Sequence, residues 1–136
     1  MNINIQAPIV IRSRTIREPL PLEAPDIAIA FHDEDSLGLI PVNETYAPLT
    51  VDLKVWEAAE EDYTYQLYWN GERHGPEKLI AATDQPGDPL TLEVPVELLL
   101  EGRHSLKYRT YSPDADSENF SDEFPVIIDR TAPGKP

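Results

Sequence analysis

The residues best equipped for chemistry are carboxylates, and they collect in two stretches. Glu57, Glu60, Glu61 and Asp62 form one; Asp114, Asp116, Glu118, Asp122 and Glu123 form the other. Asp114-Ala115-Asp116-Ser117-Glu118-Asn119 alternates oxygen-bearing side chains, and hard cations such as Ca²⁺ take roughly six to eight oxygens. The run lacks the glycine and closing glutamate of an EF-hand loop. Two expectations follow. Calcium would be held by Asp114, Asp116, Glu118 and Asp122 with Glu60 and Asp62. Otherwise these are solvated loops that keep the chain soluble.

Outward aromatics are the second candidate. Trp56, Tyr68 and Tyr111 fall on the polar side of apolar alternations, where a ring can stack on a sugar or pack on a partner. The bland alternative is an ordinary scatter of exposed rings. Other chemistries find no footing. His32, His74 and His104 lack ligand spacing. No serine sits in a G-x-S-x-G setting, and the six glycines stand singly, so no loop cradles a phosphate. Cysteine is absent, which removes disulfides and thiolate chemistry. The expectation is a protein that is not an enzyme.

Charge narrows the partners. With 25 acidic and 11 basic residues the net charge is −14, which disfavours nucleic acid and anionic membranes. No apolar run reaches transmembrane length, so no membrane insertion is expected. Residues 1–22 run against the trend, with Arg12, Arg14 and Arg17 facing only Glu18. No signal peptide is visible at the start.

The elements that must position these groups read as strands. Fourteen prolines break long helices. Leu49, Val51, Leu53 and Val55 alternate with polar residues, the pattern of a half-buried strand. Tyr63, Tyr65, Leu67 and Trp69 share a face and run into Asn70-Gly71, a strong hairpin signal. The return strand is expected at 72–74, with another at 78–82. Leu90, Leu92 and Val94 alternate again, and 96–100 reads as one helical turn. Leu106, Tyr108 and Thr110 mark the next strand, 112–123 a polar loop, and 124–128 the last strand. A possible first strand spans 37–42. About seven strands at this spacing, each with one apolar face, predict an all-β antiparallel β-sandwich. Residues 1–36 read as an extended leader or edge strand with a Pro-rich connector, 37–128 as the sandwich, and 129–136 as a linker stiffened by Pro133 and Pro136.

Three stretches resemble the Ig-like modules of large bacterial surface and secreted repeat proteins. Tyr65-Gln66-Leu67-Tyr68-Trp69-Asn70-Gly71 is similar to the family's third strand. Glu101-Gly102-Arg103-His104-Ser105-Leu106-Lys107-Tyr108-Arg109 is similar to the entry into its sixth, with His104 where many members place a tyrosine. Ile127-Ile128-Asp129-Arg130-Thr131-Ala132-Pro133 is similar to the seventh strand and its Asp-x-Thr-Ala-Pro joint, which puts Asp129, Thr131 and Pro133 in an inter-module linker.

The resemblance implies an Ig-like structural or adhesive module, extracellular or on a bacterial cell surface, whose partners are neighbouring modules of the same chain. It would be exported by a signal not visible here. It also implies that the two acidic loops share one end of the sandwich, where Arg12, Arg14 and Arg17 could dock. Alternatives are a recognition module for a glycan or protein, and an accessory domain beside a catalytic one.

Overall fold

The structure, a computed structural model, describes residues 22–130. The expectations for Arg12, Arg14, Arg17, Thr131 and Pro133 lie outside the described residues. Seven strands are found among the described residues: β1 (Leu49–Lys54), β2 (Thr64–Trp69), β3 (Glu72–Leu79), β4 (Pro89–Val94), β5 (Gly102–Ser112), β6 (Ser117–Phe120) and β7 (Phe124–Ile128). They form two antiparallel sheets. One pairs β1 with β4; the other runs β3-β2-β5-β6, with β7 also on β5.

The alternations explain the packing. In β1 and β4 every second residue is buried, with Leu49 opposite Val94 and Leu53 opposite Leu90. β2 lies between β3 and β5, and its inner face contributes Tyr65, Leu67 and Trp69 to the core. β7 adds Phe124, Val126 and Ile128 to the same core. At the β2–β3 turn both Asn70 (φ 52°) and Gly71 (φ 84°) take positive φ, as a type I′ hairpin requires.

β6 and β7 share one edge of β5. Arg109 and Phe120 are partners near one end, and Leu106 and Phe124 further along. The polar stretch 112–123 therefore contains a strand where a loop was expected. Pairing with β5, rather than an apolar stripe, holds it there. The separate strands expected at 72–74 and 78–82 are one strand, because a register shift between Tyr65 and Leu67 absorbs the irregularity at Gly75-Pro76. The expected strand at 37–42 reduces to one parallel bridge, Leu39 to Ile127. Gly38 on one side and Pro41, which opens the 3-10 turn Val42–Glu44, on the other leave no length for more.

Gly38 is indispensable to that bridge. Its φ is +88°, and a Cβ would fall 2.0 Å from the Pro125 carbonyl oxygen. The core also reaches ahead of Leu37. Ile27 is fully buried, and Asp26 exchanges both backbone hydrogen bonds with Asp52 at 2.9 and 2.7 Å.

Candidate functional site

Three places concentrate polar chemistry. The first is the outer face of the larger sheet, where β2, β5 and β6 present Gln66, Tyr68, Lys107, Arg109, Tyr111, Glu118 and Phe120. Arg109 is its centre. Its side chain is only 6% exposed, yet it carries a full charge. Nε donates to Glu118 at 2.6 Å, and Nη1 donates to Glu77 at 2.9 Å and to Gln66 at 3.4 Å. The guanidinium also lies 5.3 Å from the centre of the Tyr111 ring. Burial alone would lower its pKa; the two carboxylates outweigh that and raise it. Beside this cluster Tyr68 meets Phe120, ring centres 4.6 Å apart and tilted by 49°.

The second place is a cleft of about 1280 Å³ at the end of the sheets where the two acidic stretches emerge. Trp56, Tyr63, Tyr108 and Leu22 line it, with Glu23, Asp26, Asp52 and Glu57. Tyr108 is 3% exposed, and burial, helped by the charge on Glu23, pushes its phenol up to about 12.

The third place is the exit of the chain. Arg130 donates its backbone N–H to Glu101 at 2.9 Å, Nε to the Thr45 hydroxyl at 3.1 Å and Nη2 to the Thr45 carbonyl at 2.6 Å. Its guanidinium sits 4.8 Å from the centre of the Tyr46 ring. Thr45 is fully buried, so the clamp is anchored in the body. At the same end His104 stacks on Trp69 at 5.0 Å. The Leu100 carbonyl can only accept, so Nε2 carries the proton in the 2.6 Å bond between them, and Nδ1 accepts from Asn70 at 3.0 Å.

The residues singled out in the sequence are divided among these places. Asp116 accepts a 2.5 Å bond from the Tyr111 hydroxyl, which raises the pKa of that phenol, and Glu118 is committed to Arg109. Asp114 is exposed in the β5–β6 turn. Asp122 gives its backbone N–H to Leu22; Asp62 gives its own to Ile80, and the Glu60 carbonyl accepts from Tyr63. Among the described residues no three such side chains come together as a metal ion would require. Tyr68 and Tyr111 flank Arg109 on the outer face, while Trp56 packs against the core along the cleft. Asp129 is exposed at the exit.

Sequence reasoning missed Arg109, Arg130 with Thr45, and Phe120. One signal was available: Arg103, Lys107 and Arg109 fall on the same side of one strand in a strongly acidic chain.

No family model, curated protein or solved structure matches the chain. Among the described residues no helix is long and apolar enough to cross a membrane.

Proposed function

We propose that this chain is a non-enzymatic, Ig-like structural module that spaces and orients neighbouring parts of an extracellular or surface-exposed bacterial protein. The order of its strands supports the Ig-like reading. β1 and β4 stand as the B and E strands of such a sandwich, opposite β3-β2-β5 and β6/β7 as C′, C, F and G. The observation that carries the functional reading is the Arg130 clamp. A residue that only continued a flexible tail would not tie its side chain to a buried threonine, an aromatic ring and, through its backbone, a carboxylate. Each bond fixes the direction in which the chain leaves.

Entry and exit are well separated. The Leu22 carbonyl accepts from Asp122, next to Ser121, which bonds Tyr108; Ile128 lies opposite Gly102. Along β5 that is a separation of about 20 Å at the rise of an antiparallel strand. A body with a rigid exit set away from its entry transmits orientation and length.

The reading is tested by fusing a compact reporter domain behind Pro136 and measuring ¹⁵N relaxation of both parts. A shared rotational correlation time, lost on Arg130→Ala, is the expected result. Independent tumbling of the reporter in the unmutated fusion would defeat it.

A further inference from the structure

Seven lysines and arginines lie in the described residues, and four of them, Arg73, Arg103, Lys107 and Arg109, belong to the outer face of the larger sheet. Strand register fixes the arrangement. Arg73 and Lys107 are the cross-strand partners of Tyr68, one on each side, and Arg109 is the partner of both Gln66 and Phe120. Arg103 follows on the same side of β5 by period-2 alternation. The carboxylates on or beside this face are Glu77 and Glu118, both spent on Arg109, Asp116, which accepts from the Tyr111 hydroxyl, and Glu72, which lines a groove with Tyr68 and Arg73. Among the described residues Arg73, Arg103 and Lys107 have no ion-pair partner.

In a chain of net charge −14, three cations without ion-pair partners thus gather on one face. Arg73 and Lys107 flank Tyr68 across two strand spacings, roughly 10 Å. Phe120, 37% exposed, reaches from β6 to meet Tyr68, adding a second ring tilted by 49° to the first.

We infer that this face binds an acidic saccharide. The C–H side of a sugar ring stacks on Tyr68 and Phe120, and its carboxylate or sulfate groups are held by Arg73 and Lys107. Arg103 lies further along β5 for the next acidic unit. Charge complementarity selects an anionic ligand, and the open rings select one with a flat apolar surface. A peptide is less suited. Extended peptides bind sheet edges through backbone hydrogen bonds; the edges here are β3 and β6, whereas Tyr68 and Lys107 stand on β2 and β5, which are paired on both sides. The role goes beyond spacing and uses a different surface from the Arg130 exit.

The test is isothermal titration of the full chain with oligogalacturonate and chondroitin sulfate oligosaccharides. A neutral dextran oligosaccharide and a polyglutamate peptide serve as comparisons. At least one acidic saccharide should bind, and the dextran should not. Tyr68→Ala and Lys107→Glu, each checked for folding by near-ultraviolet circular dichroism, should weaken binding by about tenfold or more, equivalent to about 1.4 kcal/mol. Lys54→Glu, a charge change away from this face, should leave affinity unaltered. The inference is overturned if neither acidic saccharide binds or if dextran binds equally well. Polyglutamate binding as tightly, with no effect of Tyr68→Ala, would also overturn it and identify a purely electrostatic, protein-directed surface.

Discussion

The buried Arg109 makes an asymmetric prediction about stability. Its side chain is 6% exposed, whereas those of Glu77 and Glu118 keep 44% and 49% of their exposure. Replacing both acids, as Glu77→Gln with Glu118→Gln, leaves a desolvated guanidinium with neutral acceptors only. Stranding a buried charge in this way costs about 3–5 kcal/mol. Replacing the arginine instead, as Arg109→Met, keeps an unbranched stem in place and leaves two carboxylates that water can reach. Pairs this exposed are worth about 0–1 kcal/mol each, so the loss should be about 1–2 kcal/mol. Urea denaturation by linear extrapolation resolves the difference if the slopes agree. The double substitution should therefore cost more than losing the arginine they serve. If Arg109→Met proves equally or more damaging, the cluster acts mainly through packing and the electrostatic argument fails.

Three further outcomes follow from the geometry. Tyr108 has its pKa raised to about 12 when folded against an ordinary value of 10.0, so the unfolded chain ionises first. Its contribution is complete below pH 10 and is lost as pH rises towards 12, roughly 2–3 kcal/mol in all. Tyr108→Phe should flatten that alkaline limb in a pH series of melts, and an unchanged limb would place the loss elsewhere. Gly38→Ala combines a positive φ with a clash against Pro125 and should cost more than about 2 kcal/mol, measurable by the same denaturation. A near-neutral result would mean that the Leu39–Ile127 bridge is dispensable. Millimolar Ca²⁺ should raise the thermal midpoint no more than Mg²⁺ at equal concentration, because Asp116 and Glu118 are already engaged with Tyr111 and Arg109. A calcium-specific rise of several degrees would show that these loops rearrange into a site.

Much of the framework was legible because it is written in period 2. The alternations of β1 and β4, the Asn70-Gly71 turn and the apolar β7 each encode one buried face locally. β6 was not legible: Ser117-Glu118-Asn119-Phe120 has no apolar stripe, and its partner strand defines it. Gly75-Pro76 looks like a break in sequence and is absorbed as an irregularity within one strand. The site residues were harder for the same reason. Arg109 occupies a position that alternation assigns to solvent; its burial comes from partners 9, 32 and 43 residues away. Arg130 and Thr45 are separated by 85 residues, a distance over which no local pattern speaks. Histidine at 104 is comparable. Its bonds to Leu100 and Asn70 emerge only when the β2–β3 turn meets the start of β5.

The central claim is that the chain leaves this body in a fixed direction. The absence of cysteine allows clean placement of two spin labels, at Lys54→Cys on β1 and at Thr131→Cys just beyond the clamp. Pulsed electron–electron double resonance then reports the distribution of distances between them. The account predicts one narrow distribution that broadens markedly on Arg130→Ala. A distribution already broad with Arg130 intact, or one equally narrow without it, would contradict the role assigned to the clamp.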